Sequence, residues 1–249
     1  MPNAFVRKLR RFAELSDEEV TLLVEMVSTW AERPGGTDLV REGDRPQATR
    51  LLLSGWACRY KMLPAGNRQI VGFLLPGDTC DLHVTLLDVM DHGIALVADS
   101  RVVALTTEAL ESAMRRHQGI ATALHCSTLV DEAILREWLT SAGRRDAYAR
   151  VGHLICELWH RLKAIGQVDE REQFHFPLTQ EQLADALGLT GVHVNRMLRK
   201  LREDRLVTLG ERRLRLLDPE RLAAVSGFDP TYLHQGKEKQ APSRRFDRV

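Results

Sequence analysis

Two stretches of this 249-residue chain carry residue types and spacings that suit chemistry. The first begins at Thr190. Val194, Leu198 and Leu201 recur at i, i+4 and i+7, as one buried side of a helix would. Gly191, Val192, Asn195 and Arg196 then share the opposite side, with His193 beside them. Such a face offers a guanidinium for guanine O6 and N7, an amide for adenine or a phosphate, and an apolar contact for a thymine methyl. Arg199, Lys200, Arg202 and Arg205 continue toward a second basic group at Arg212, Arg213 and Arg215. Residues 191–215 hold eight basic and three acidic side chains, a balance suited to phosphates. The second stretch is Cys80-Asp-Leu-His83, followed by Asp91-His92. C-x-x-H is ligand spacing for zinc or iron, so Cys80, His83 and His92 are candidate metal ligands. The competing reading packs Cys80 in an apolar core and leaves the histidines to cap turns. His153, Cys156 and His160 fall on one helix and read as packing and surface positions. No nucleophile elbow, phosphate loop or zinc-protease motif occurs, so an enzyme is not expected.

The elements that position the first stretch are legible nearby. Thr179-Gln-Glu-Gln182 is a capping box that opens a helix with Leu183, Ala184 and Leu187 inward. Gly188 ends that helix, Leu189 fills the corner, and Thr190 caps the next. Val207–Leu209 and Leu214–Leu217 flank a Gly210–Arg213 turn and read as a hairpin. Asp218-Pro219 starts a last short helix to about Val225. Upstream, Ser16-Asp-Glu-Glu19 is another capping box. Residues 34–106 alternate short apolar runs with Pro and Gly turns, which predicts an antiparallel sandwich or small barrel. From Gln118 to Ser141 a single long helix is expected, with one stripe at Ala123, Cys126, Val130 and Ile134 and another at Leu124, Leu135, Trp138 and Leu139. Both faces must be buried, either within one chain or against the same helix of a second chain. The first stripe is assigned to the dimer interface. A hinge at Ser141–Arg145 leads to a helix over about Asp146–Ile165, and residues 166–176 read as a polar loop.

Charge is unevenly shared. Residues 1–143 carry a net −4 and residues 144–249 a net +5, so a polyanionic partner meets the C-terminal part. The four cysteines form no C-x-x-C pair, and reduced thiols in the cytoplasm are expected. No apolar run approaches a membrane span, and no membrane partner is expected.

The run Leu178–Thr190, with Gly191–Leu201 after it, resembles the helix-turn-helix of the Crp–Fnr family of bacterial transcription regulators. Leu206–Leu216 resembles the family's wing, Ser54-Gly-Trp56 and Pro76-Gly-Asp78 its β-roll, and residues 118–141 its dimer helix. The likeness spans about residues 15–228. It implies an α+β chain with a cyclic-nucleotide-binding-like antiparallel β-roll, a long dimerisation helix and a C-terminal winged helix-turn-helix. The corresponding segments are 1–117, 118–143 and 144–229, with a disordered tail over 230–249. It also implies a homodimer that binds double-stranded DNA at half-sites ~10 bp apart and that contacts RNA polymerase. Thr190, Gly191, Val192, His193, Asn195, Arg196, Arg199, Lys200, Arg212 and Arg213 are the expected DNA contacts. Family members read bases from the positions of Val192, Asn195 and Arg196. Many carry Glu where this chain has Val192, so the usual operator does not carry over.

The likeness also points to an effector pocket around Gly77, Asp78, Cys80, His83 and His92. Cyclic-nucleotide binders in the family use a Gly-Glu pair and an Arg-Ser or Arg-Thr pair. This chain has Gly77-Asp78 for the first and Asp91–Ala95 in place of the second, and no Arg or Lys between Arg68 and Arg101. A buried cyclic phosphate without a charge partner is costly, so cyclic AMP is not the expected effector. Haem-containing members place a His near His83, which keeps a metal, haem or redox signal as the alternative. A winged helix that binds protein rather than DNA is a further alternative. No cofactor is predicted. The iron–sulfur mode is not expected, because no cysteine precedes Cys58.

Overall fold

The structure, a computed structural model, describes residues 3–82 and 89–234. Two helices come first. In α1 (Ala4–Leu9) the Asn3 side chain accepts from the Val6 amide, and Ala4, Phe5, Val6 and Leu9 are buried. Six residues are too few for a periodic signal, so sequence pattern did not predict this helix. Helix α2 (Asp17–Met26) starts at the expected Ser16/Glu19 capping box.

Eight strands follow: β1 (Ala31–Arg33), β2 (Asp38–Val40), β3 (Ala48–Ser54), β4 (Ala57–Met62), β5 (Arg68–Leu74), β6 (Thr79–Cys80), β7 (Gly93–Leu96) and β8 (Ser100–Thr106). They form two four-stranded sheets, ordered β1-β8-β3-β6 and β2-β7-β4-β5. Strand alternation sends Leu52, Val102 and Cys80 from one sheet and Leu74, Ile94 and Leu96 from the other into a shared interior. Leu51, Val103 and Leu105 on the outer face of the first sheet meet Phe5, Leu9, Leu23, Leu110 and Leu124. This is the expected β-roll.

Helices α3 (Thr107–Arg116) and α4 (Gln118–Arg144) follow. Helix α4 runs through the expected hinge and breaks only at Arg145-Asp146, where the Asp146 carboxylate caps α5 (Ala147–Ala164). Strand β9 (Gln173–His175) lies in the stretch expected as loop. It pairs with β11 to widen the wing, and Phe174, at its centre, is buried. Then come α6 (Gln180–Leu187), α7 (Gly191–Glu203), β10 (Val207–Gly210), β11 (Arg213–Leu216) and α8 (Pro219–Ser226). The expected tail begins too early: Pro230–Leu233 form a 3-10 turn in which Leu233 is buried and the Tyr232 hydroxyl donates to Glu157, 2.9 Å away. The rest of that tail, 235–249, lies outside the described residues.

The core of the C-terminal half does not stop at the roll. Trp56, just before β4, and Phe73 on the second sheet join Phe176 and Trp138 in edge-to-face contacts at 5.8–6.4 Å. Val130 and Ile134 of α4 belong to the same cluster. Beside Phe228 and Tyr232 sits His153, only 2% exposed; burial first, then Arg145, lowers its pKa to about 3. Burial and Lys163 lower His160 to about 4. Both rings are therefore neutral in the fold, whereas the unfolded chain takes up protons below pH ~6.5. The stability present above that value is lost as pH falls toward the folded pKa values. Lowering the pH from 6.5 to 5 should cost about 1–2 kcal/mol for His153, and less for the more exposed His160. Thermal unfolding of wild type should show this slope, and the His153→Gln/His160→Gln variant should flatten it; equal slopes would contradict the assignment.

Candidate nucleic-acid interface

Helix α6 begins at the Thr179/Gln182 capping box and ends at Gly188, whose φ of 62° is left-handed and easiest for glycine. Thr190 accepts from the His193 amide and sets the first turn of α7. Val194, Met197, Leu198 and Leu201 are buried. Val192 is 78% exposed, and His193, Asn195, Arg196, Arg199 and Lys200 are exposed with it. The predicted division of the helix into two faces therefore holds, with Met197 added to the inner one. Arg196 has no hydrogen bond or ion pair among the described residues. Arg199 is paired with Glu203 at 2.7 Å, and the Lys200 ammonium lies 4.7 Å from the Tyr148 ring centroid. The three cations thus differ: Arg196 is unengaged, and the other two are already oriented.

The wing turns on Glu211 and Arg212, both left-handed at φ 50° and 56°. A two-residue hairpin favours Asn-Gly there, so an Arg at this tip carries some backbone strain. Arg212 and Arg213 are exposed. Their charge reaches His175, whose pKa is lowered by burial and then by these two guanidiniums. The residues that hold this frame were not singled out from sequence. Arg150 donates to the Leu187 carbonyl at the end of α6 and to the Ala142 and Arg145 carbonyls at the end of α4. The Tyr148 hydroxyl donates to Asp204, 2.6 Å away.

The stripe expected at the dimer interface faces the interior of this chain rather than solvent. Ala123, Val130 and Ile134 are buried within the chain, and Cys126 is half-buried at the margin. Leu129, Leu135 and Leu139 are the exposed apolar residues of α4, at 60%, 55% and 75%. Both faces are apolar, and Leu124 and Trp138 of the second stripe are packed inward as well, which leaves its leucines Leu135 and Leu139 exposed.

The described residues among those expected at the effector pocket do not form one site. A cleft of ≈ 400 Å³ lies between β4, β5 and α4, lined in part by Arg59, Phe73, His92, Ser127 and Asp131. Of the five expected residues, His92 lines it. Its imidazole lies 3.0 Å from Asp81 and 2.6 Å from Asp91, and hydrogen bonding to Asp81 raises its pKa against the effect of burial. Cys80 is inside the roll, where burial pushes its thiol up to about 12, so it packs as a neutral core thiol. Gly77 and Asp78 face the other way. A Cβ on Gly77 would lie 2.7 Å from the Ala4 carbonyl oxygen, so the glycine admits α1. Asp78 is held by Lys8 at 2.7 Å and Arg161 at 2.8 Å. Burial would raise its pKa, but these two cations and the Leu75 amide hold it below the usual carboxylate range. His83 lies outside the described residues. Among the described residues, no three His, Cys, Asp or Glu side chains are placed to hold a metal ion. The cations of the cleft are committed as well: Arg59 to Asp81 and Asp131, Lys61 to Glu42, and Arg161 to Asp78 and Glu157. A cyclic phosphate would have to displace carboxylates, so the described residues of the cleft do not suit a cyclic nucleotide. No helix among the described residues is long and apolar enough to cross a membrane.

Known proteins with the same architecture extend the picture. A cyclic nucleotide-binding domain model matches residues 32–117, and a Crp-like helix-turn-helix domain model matches residues 149–225. The transcriptional activator protein FnrL of Cereibacter sphaeroides is 26% identical over 216 residues, covering 86% of each chain. The nitrogen fixation regulation protein FixK of Bradyrhizobium diazoefficiens is 26% identical over 191 residues, covering 77% of this chain and 79% of its own. The solved structure of FixK2 from Bradyrhizobium japonicum superposes with a TM-score of 0.68 at 23% identity, over 79% of this chain and 96% of that one. Both matched domains occur here in the order and with the connecting helix that the fold requires, and the chain belongs to the Crp–Fnr family of transcription regulators.

Proposed function

We propose that the protein is a homodimer that reads a two-fold symmetric operator through α7 of each protomer, under a signal received at the β-roll. The observation that carries this reading is the outer face of α7. Val192, Asn195 and Arg196 stand exposed on a helix whose other side is locked into the core, and Arg196 has no competing partner among the described residues. Lys200 and the wing arginines Arg212 and Arg213 flank that face, where the helix N-terminus adds its own dipole. Thr190, Gly191 and His193 form its leading turn, and Arg199 continues it. The pairing of protomers falls to Leu129, Leu135 and Leu139, an exposed apolar stripe on a helix 27 residues long. The cleft beside α4 is the place for the signal, since a change there reaches the dimer helix directly. RNA polymerase is the further partner of a regulator of this type.

Arg196→Ala should cost ~1–3 kcal/mol in operator affinity and relax the preference at one base per half-site. Lys200→Ala should instead weaken binding to all sequences alike and reduce its salt dependence. Mobility-shift titrations over a salt series read both effects. An Arg196→Ala protein as tight and selective as wild type would place the reading face elsewhere.

Leu135→Glu/Leu139→Glu should convert the dimer to monomers in analytical ultracentrifugation, with the thermal unfolding of the fold retained. A dimer that survives both charges would rule out α4 as the seam.

A further inference from the structure

The two halves of the chain meet at a closed set of buried charges. Asp78 sits on the turn between β5 and β6, Arg161 and Glu157 on α5, and Lys8 on α1. The Arg161 guanidinium, 10% exposed, donates to Asp78 at 2.8 Å, to Glu157 at 3.2 Å and to the Phe73 carbonyl at 2.9 Å. Asp78 also accepts from Lys8 at 2.7 Å and from the Leu75 amide at 2.8 Å. Glu157 is fully buried and accepts from Trp138 of α4, at 3.0 Å, and from Tyr232. Two cations and two carboxylates balance, and together they tie α1, the β5–β6 turn, α4 and α5. The apolar contacts around them, such as Trp56 on Phe176, tolerate small rotations of one half against the other. A guanidinium fixed by three acceptors in a buried site does not, because a shift leaves a charge without its partner. Further polar contacts between the halves are weaker: Arg68 to Asp185 at 2.8 Å is 31% and 21% exposed and correspondingly screened, and Gln69 to the Ala186 carbonyl and Arg11 to the Ala164 carbonyl are each long, at 3.4 Å.

We propose that Arg161, through its bridge to Asp78, is a positioning residue for DNA binding: it fixes the angle of the helix-turn-helix on the roll and so the half-site spacing that the dimer accepts. The Asp78 carboxylate is turned to the DNA-binding half, so the β5–β6 turn and α5 move as one piece.

This inference rests on the dimeric operator-binding reading, and the test separates the two. Arg161→Lys, Arg161→Met and Asp78→Asn are compared with wild type on duplexes carrying one half-site, or two half-sites at a series of spacings. Arg161→Lys keeps the charge but not the three-way geometry. Loss of the bridge should lower affinity at the preferred spacing about 10-fold and flatten the spacing preference. Affinity for the single half-site should be retained. A purely structural role would lower one-site and two-site binding together, in step with the folded fraction seen by thermal unfolding, and would leave the spacing preference intact. That result, or an unchanged spacing profile in the variants that fold, overturns the proposal. If Arg161→Met does not fold, Arg161→Lys and Asp78→Asn decide it. A wild-type protein that binds none of the duplexes would defeat the operator-binding reading itself, and this inference with it.

Discussion

Val194, Met197, Leu198 and Leu201 pull one side of α7 into the core shared with α5, α6 and the wing, and this one-sided burial fixes which side chains the protein can present. Four buried apolar side chains contribute on the order of 1.5–3 kcal/mol each, more than the cost of leaving Val192 in water. The helix has no rotational freedom left, so Asn195 and Arg196 project from a rigid support. Around this the local chemistry is consistent: the Thr190 cap starts the helix, Gly188 turns the chain into it, and Arg150 ties the end of α6 to the end of α4.

The same support reaches the roll by two kinds of contact. Trp56, Phe73, Phe176 and Trp138 supply area without direction, whereas Lys8, Asp78, Arg161 and Glu157 supply direction. Burial pushes the Glu157 carboxyl above its ordinary pKa against the pull of Arg161, Tyr232 and Trp138, while Asp78 is held low by its cations. Buried charges of this kind are weak contributors to stability but demanding about geometry. The β5–β6 turn and the helix-turn-helix half are thereby joined by directed contacts, although the sequence marks a hinge at Ser141–Arg145 between them.

Local signals in the sequence carried much of this. The capping boxes at Ser16 and Thr179, the corner at Gly188 and the period of α7 depend on neighbours within a few residues, and the structure has each of them. What failed was non-local. Helix α4 has two apolar faces, and only the shape of the roll decides that Ala123, Val130 and Ile134 turn inward while Leu129, Leu135 and Leu139 face out. Asp78 was expected at an effector pocket on the family likeness of Gly77-Asp78, yet its partner Arg161 lies 83 positions away and leaves no mark in the local pattern. Helix α1 and strand β9 are too short for periodicity to register, and tertiary contacts sustain them. The Cys80–His83 spacing was ambiguous for the opposite reason. It matched a ligand pattern, and burial in the roll committed the thiol to packing.

The most direct test of the central claim is selection of bound sequences from a pool of random duplex DNA by the full-length protein. The account predicts enrichment of two inverted half-sites with centres ~10 bp apart, with a base in each half-site that depends on Arg196. Recovery of no common sequence, or of a single asymmetric site, would contradict it.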